Sequence, residues 1–213
     1  MDPETPATLT LYSPSRRVKL VPPTEPTDEA VAILRTDPIT LRYLKFLPQT
    51  MTTEENRVRR ETRAKDPQIL DLLAYVRGED GSYELGGTTG VFHMDNLQKC
   101  CEAGILVAPK FQGQGVTAEI FYTLFTYIFE EKGFHRIGME TAMENMPMRG
   151  WLEKVADIRQ EGVKKEWWTD MAGGWTDVGS YAILDWEWRD KVKERLEKRI
   201  ASRNQPVEGK IAA

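Results

Sequence analysis

The sequence predicts an α+β domain built on a mostly antiparallel central sheet flanked by helices, and three observations carry that prediction. The strand-like runs from Leu70 to Val107 are joined by turn chemistry and read as hairpins rather than βαβ units. From Gln112 onward the order changes to strand, helix, strand, helix. The chain then closes on two further strand-like runs and a charged helix. With 213 residues, 40% of them hydrophobic and 29% charged, it forms a single domain of ordinary size. Three segments are expected: a flexible arm over residues 1–15, the folded domain over 16–190, and a charged C-terminal helix and tail over 191–213.

The arm is rich in Pro, Thr and Ser, and six of the twelve prolines lie in the first 26 residues. Arg17 to Pro22 alternates polar and apolar residues, as a half-buried strand does. Thr27-Asp28-Glu29 opens a helix carrying Val31, Ile33 and Leu34, and Asp37-Pro38 closes it. Thr53 with Glu54 and Glu55 opens another, whose Arg57, Arg59, Arg60, Arg63 and Lys65 are expected to form a solvated face. Leu70 to Val76 and Glu84 to Phe92 flank the turn Gly78-Glu79-Asp80-Gly81, and Cys100 to Val107 completes an antiparallel meander. Next come a helix over Val116–Lys132 ended by Gly133, a strand over Arg136–Thr141 and a helix over Pro147–Val155. Strands are expected over Val163–Trp168 and Val178–Trp186. A final helix from Glu187 to about Arg203 aligns Trp188, Val192, Leu196 and Ile200 on one stripe.

Composition narrows the function classes. Lys plus Arg number 29 against 33 Asp plus Glu, a net charge of -4, which gives no support for a wholesale nucleic-acid binder. Cys100 and Cys101 are neighbours, too close for an ordinary disulfide, so a reducing compartment is expected. The longest apolar stretch, Ile120 to Phe129, falls well short of the ~18 residues a membrane span needs. The start, Met1-Asp2-Pro3-Glu4, lacks the basic and apolar regions of a signal peptide. Cytoplasm is the expected address. His93 and His135 have no metal-ligand spacing with either cysteine, so no metal is expected.

The most informative segment is Gln112-Gly113-Gln114-Gly115, a glycine-dense turn between a strand and a helix. Such a turn presents free backbone N–H groups, and the helix N-terminus adds about half a positive charge, so a phosphate or pyrophosphate is its natural guest. The Lys-Ser/Thr of a P-loop is missing, which argues against nucleoside triphosphate hydrolysis. Gly113-X-Gly115-X-X-Ala118, with Glu140 downstream, also fits the loose dinucleotide fingerprint. There, however, the strand should run directly into the first glycine. Here Ala108-Pro109-Lys110-Phe111 intervenes, and the preceding strands read as hairpins.

The segment resembles the pyrophosphate loop of the GNAT acyltransferase superfamily, Arg/Gln-X-X-Gly-X-Gly/Ala, written here as Gln112-Gly113-Gln114-Gly115-Val116-Thr117 with Thr at the last small position. Residues Cys101 to Pro109 resemble the family's central strand. Gly115-Val116-Thr117-Ala118-Glu119 resembles a segment common in its RimJ/RimL-like branch. Asn145 followed by Leu152-Glu153-Lys154, Tyr181 to Trp188, and Asp37 to Leu44 match further segments of that branch, in order, across about residues 16–190. Ala156-Asp157 departs from the branch's Gly-Phe.

The resemblance implies a GNAT-like sheet and an acetyl-CoA-dependent N-acetyltransferase acting on a primary amine: a small metabolite, an amino acid or a protein N-terminus. By the same resemblance, main-chain groups of Leu106 and Val107 would hold the pantetheine arm. Gln112, Gly113, Gln114, Gly115, Val116 and Thr117 would hold the pyrophosphate, and Asn145 would contact the arm from the other side. The incoming amine is mostly ammonium near neutral pH, so a base is needed; Glu102 and Glu140 are the candidate carboxylates. Related enzymes place a Tyr or Ser after the Asn to protonate the leaving thiolate. Here those positions are Met148 and Leu152, leaving Tyr181 as the fallback acid. The apolar pair also fits a non-catalytic acyl-CoA-binding or interaction protein of the same fold. All six tryptophans lie between Trp151 and Trp188, and Trp167, Trp168, Trp175 and Trp186 are candidates for the acceptor wall. The expected partners are an acyl-CoA and an amine acceptor, with no membrane and no nucleic acid; a homodimer is compatible with the resemblance. The net charge argues against a generally anionic acceptor.

Overall fold

The computed structural model describes residues 9–171 and 173–204. Alternating burial along the strands builds one eight-stranded sheet: β1 (Leu11–Tyr12), β2 (Val18–Val21), β3 (Leu70–Arg77), β4 (Tyr83–Asp95), β5 (Cys100–Val107), β6 (Arg136–Ala142), β7 (Arg159–Thr169) and β8 (Trp175–Leu184). Their spatial order is β1-β2-β3-β4-β5-β6-β8-β7. Every neighbouring pair is antiparallel except β5 and β6, which run parallel. The parallel pair needs a crossover, and the long helix after the glycine turn supplies it.

Two helical layers cover the sheet. On one face lie α1 (Asp28–Thr36) and α3 (Thr53–Ala64), linked through the short α2 (Pro38–Leu41). The start of α3 is fixed by a capping box: Thr52 Oγ1 accepts from the Glu55 N–H at 3.1 Å, and Glu55 accepts from the Thr52 N–H at 2.7 Å. On the other face, α4 (Val116–Thr126) widens into a π-turn over Tyr127–Glu131 and ends before Gly133. It packs on β2 and on the C-terminal helix α7 (Lys193–Asn204). Two shorter helices, α5 (Met146–Gly150) and α6 (Asp185–Glu187), each run on into a π-turn, over Trp151–Val155 and Trp188–Val192.

The main core lies under α4. Phe121 stacks on Phe125 at 4.8 Å, and the Trp188 ring meets Phe125 edge-on at 6.0 Å while Trp188 Nε1 donates to Glu130 Oε1 at 2.8 Å. The four-residue stripe of the last helix is buried throughout, Trp188, Val192, Leu196 and Ile200 being at most 5% exposed. Full burial of each such side chain contributes about 1.5–3 kcal/mol. That stripe anchors residues 188–200 to the domain.

Two expectations are corrected, and from Leu9 the expected arm lies against the fold: Leu9 and Leu11 pack on the core, Leu11–Tyr12 pair with β2, and Ser13 Oγ donates to the buried Glu119 at 2.7 Å. The part of the arm over residues 1–8, and the tail from 205, lie outside the described residues. The last hairpin begins earlier in both strands, at Arg159 and Trp175, because β7 is an exposed edge strand whose polar residues give no alternation to read. The arginine run of α3 is not one solvated face. Arg57 pairs with Glu54 and Glu61 at the surface, but Arg59, Arg60 and Arg63 line a cavity.

Candidate active site

The site begins where two strands part. Between β5 and β6 the pairing runs only from Cys100↔Arg136 to Glu102↔Gly138, although β5 continues to Val107 and β6 to Ala142. Each strand keeps its outer neighbour to its end, β4 for the first and β8 for the second, so the sheet splits along a line with unpaired strand edges on both sides. Leu106 and Val107 stand on one edge, and the Val107 carbonyl accepts from Gln112 Nε2 at 3.0 Å. On the other side, Asn145 follows β6 and caps α5. Its Oδ1 accepts from the Met148 N–H at 3.2 Å, and its Nδ2 donates to Thr141 Oγ1 at 3.1 Å.

The glycine turn caps α4. Gly113 and Gly115 have φ of +73° and +78°, a region that L side chains enter only at a cost. Gln114 Nε2 donates to the Lys110 carbonyl at 2.7 Å. Two arginines from distant segments hold the loop's carbonyls: Arg17 reaches Gln114 O at 3.0 Å and Arg203 reaches Gly113 O at 3.1 Å. With the carbonyls turned to these cations, the N–H groups of Gly113, Gly115, Val116 and Thr117 have no partner among the described residues. A helix N-terminus with four free donors and two nearby guanidinium groups suits a pyrophosphate.

Through the split, on the α1/α3 face, lies a cavity of about 360 Å³. Glu102 and Glu140 both line it, so the two carboxylates named from sequence are brought together. Burial pushes the Glu102 carboxyl up from its ordinary value; the nearby Glu140 pushes it further, and His93 and Lys164 oppose both. His93 Nδ1 lies 3.5 Å from Glu102 Oε2, and Lys164 Nζ binds Glu140 Oε1. A carboxylate more basic than usual, in a cavity at a break in the sheet, is chemically suited to take a proton. Cys101 is no competing nucleophile, since burial, Cys100 and Glu102 push its thiol to about 12.

Tyr181 is not in this group. On β8 it follows Ser180, the register partner of Glu140, and so projects from the opposite face. There its hydroxyl donates to Glu153 Oε1 at 2.6 Å and accepts from Arg149 Nε at 3.3 Å. Of the candidate wall tryptophans only Trp168 lines the cavity, tilted against Phe46 at 4.7 Å; Trp167, Trp175 and Trp186 are exposed.

Residues missed by sequence reasoning complete the cavity. Arg35 on α1 and Arg59, Arg60 and Arg63 on α3 form its far wall with Asp71 on β3. Arg60 is fully engaged with the buried Asp28, and Arg63 forms two bonds to Asp71 at 2.6 and 2.8 Å. Arg35 Nε and Asn56 Oδ1, buried atoms of two residues of this wall, have no partner among the described residues. The signal was present: Asn56, Arg59, Arg60 and Arg63 follow the i, i+3, i+4, i+7 spacing of one helix face.

Comparison with known proteins places the family and the fold. The family model described as "Acetyltransferase (GNAT) domain" matches residues 17–156. A Bacillus subtilis (strain 168) relative, "Putative ribosomal N-acetyltransferase YdaF", is 27% identical over 123 residues, which are 57% of this chain and 65% of that protein. Among solved structures, a GCN5-related N-acetyltransferase from Brucella melitensis superposes with a TM-score of 0.76 at 19% identity, covering 98% of this chain and 91% of its own. Mycobacterium smegmatis RimJ in complex with CoA-disulfide gives 0.73 at 21% identity, covering 92% and 94%. With two thirds of the chain matched by the family model and the same fold in these structures, the chain belongs to the GNAT acetyltransferase family.

Proposed function

We propose that the protein is an acetyl-CoA-dependent N-acetyltransferase of the RimJ/RimL-like branch, acting on a primary amine. The observation that carries this reading is the parting of β5 and β6 after Glu102, with the donor-rich turn near one end and the Glu102/Glu140 cavity opening onto the split. The residues present fit acetyl-CoA: the free N–H groups of Gly113, Gly115, Val116 and Thr117 suit its pyrophosphate, and the unpaired edge at Leu106 and Val107 suits an amide-bearing arm. When bound, acetyl-CoA supplies an activated thioester acetyl group.

Glu102 takes the proton of the incoming ammonium, its basicity raised by burial and by Glu140. Glu140, held by Lys164, stands on the same cavity wall and sustains the raised basicity of Glu102. Main-chain N–H groups along the free edge of β5 are available to polarise a carbonyl. A thiol has a reference pKa of about 8.5, so the leaving group departs without an obligatory acid. Asn145 spends its side chain on the α5 cap and on Thr141, which keeps the far wall of the split in place.

Thiol release from acetyl-CoA across a panel of primary amines tests the proposal directly. Turnover on at least one class of amine is expected, and acetyl-CoA, unlike NADH, should raise the melting temperature. Binding without turnover on any amine would leave an acyl-CoA-binding protein instead.

A further inference from the structure

Resting on the acetyltransferase reading, we propose that the acceptor is an amine whose other end carries an oxyanion, carboxylate or phosphate, bound by Arg35 and Arg59 on the far wall of the cavity. The charge inventory of that wall is the first support. Arg60 is neutralised by Asp28, whose Oδ2 lies 2.8 Å from its Nη2, and Arg63 by Asp71. The side chains of Arg35 and Arg59 have no hydrogen bond or ion pair among the described residues, yet both residues line the cavity.

The second support is the strain on this pair: Arg35 Nε is buried without a partner among the described residues. An N–H withdrawn from water without an acceptor costs free energy. Burial together with Arg59 and Arg63 lowers Arg35 to about 10, and burial also lowers Arg59; Asp71 offsets this in part, being shared among three arginines. A ligand oxyanion in the cavity would offset the electrostatic strain on the pair, and the planar fork of Arg matches it.

The third support is polarity along the cavity. Glu102 and Glu140 stand at the split in the sheet, where the amine must react, and the arginines stand on the α1/α3 side. A molecule with ammonium at one end and oxyanion at the other matches both, whereas a polycation would place charge against Arg35 and Arg59. The chain's net charge of -4 argues the other way, but the local field inside the cavity governs what binds there.

The test is acetylation of three matched series with acetyl-CoA: ω-amino carboxylates, ω-aminoalkylphosphonates and n-alkylamines of graded chain length, with spermidine as the polycation. The acids should exceed their matched alkylamines in kcat/KM by about tenfold or more, with spermidine below both. The carboxylate and phosphonate arms identify which oxyanion is preferred. Arg35→Gln and Arg59→Gln should each collapse the acid-to-alkylamine ratio, while Arg57→Gln, at the surface of the same helix, leaves the ratio intact. Equal turnover of acids and alkylamines, or a ratio unmoved by both variants, overturns the oxyanion site and leaves the acetyltransferase reading standing. If no amine turns over, that reading fails, and butyrate titrated calorimetrically into the acetyl-CoA-saturated protein decides the site alone. Heat lost in Arg35→Gln supports it, and absence of binding overturns it.

Discussion

The Tyr181 hydroxyl donates to Glu153 Oε1 at 2.6 Å, and that bond decides what this phenol can contribute. Burial and Glu153 push its pKa above the ordinary tyrosine value, with Arg149 pulling the other way. An acid that weak is a poor proton source for a thiolate of reference pKa about 8.5. Tyr181→Phe should therefore change kcat by less than about threefold while lowering stability by about 1–2 kcal/mol, read by denaturant unfolding. A fall in kcat of about a hundredfold would instead make Tyr181 the general acid.

The pH profile separates the two carboxylates. A raised Glu102 must lose its proton before it can act as base, so the acid limb of kcat/KM should lie above the ordinary glutamate value of about 4.3. Glu140 raises Glu102 and His93 lowers it. Glu140→Gln should then move the limb to lower pH and His93→Ala to higher pH. Shifts in the same direction would remove Glu102 from the role of base.

The same shift has a consequence for stability. A carboxyl whose folded pKa exceeds its unfolded value favours the protonated folded state, and this contribution is lost as pH rises through the folded pKa. Above that pH, Glu102→Gln should melt higher than the unsubstituted protein, and below it the two should converge. A variant that melts lower at neutral pH would show that the charge of Glu102 is compensated in the fold.

The elements that the sequence made legible share a property: their pattern is set by local chemistry. The glycine turn at Gly113 and Gly115, the Trp188–Ile200 stripe and the Thr52–Glu55 cap are written in adjacent or helically spaced residues. Glu102 and Glu140 could be named as separate strand residues, but the cavity that joins them arises from the parting of β5 and β6, which no local pattern encodes. The helical spacing put Arg59 on one face with Asn56, Arg60 and Arg63, but not which way that face turns, and Arg35 carried no signal at all. Composition treats arginine as a surface residue, and only the packing of α1 on α3 turns these two inward.

That packing rests on Asp28, which is 1% exposed and receives bonds from Asn56 Nδ2 at 2.9 Å and from Arg60 Nε and Nη2 at 3.0 and 2.8 Å. Removing Arg60 leaves a buried carboxylate without its countercharge, so Arg60→Ala should cost about 3–5 kcal/mol. Asp28→Asn in the same background should recover a large part of that loss, because the orphaned charge goes with it. Chemical denaturation of the three variants measures this. Simple additivity of the single effects would mean that the pair does not couple α1 to α3.

Gly115 tests the donor-rich turn from a different side. Alanine at either Gly113 or Gly115 must adopt a left-handed φ, costing about 1–2 kcal/mol. At Gly113 the added methyl meets open space, but at Gly115 it would stand 2.6 Å from Arg203 Cδ and 2.8 Å from Nη1. Arg203 must then swing away and release the Gly113 carbonyl, which it holds at 3.1 Å. Gly115→Ala should accordingly destabilise the protein more than Gly113→Ala and weaken acetyl-CoA binding. Adding Arg203→Ala to Gly115→Ala should erase the excess in stability without restoring affinity, because the turn remains strained and has lost a nearby cation. Melting curves and acetyl-CoA titrations of the single and double variants read both effects. If Gly113→Ala proves the more damaging in stability, contact with Arg203 is not what restricts position 115.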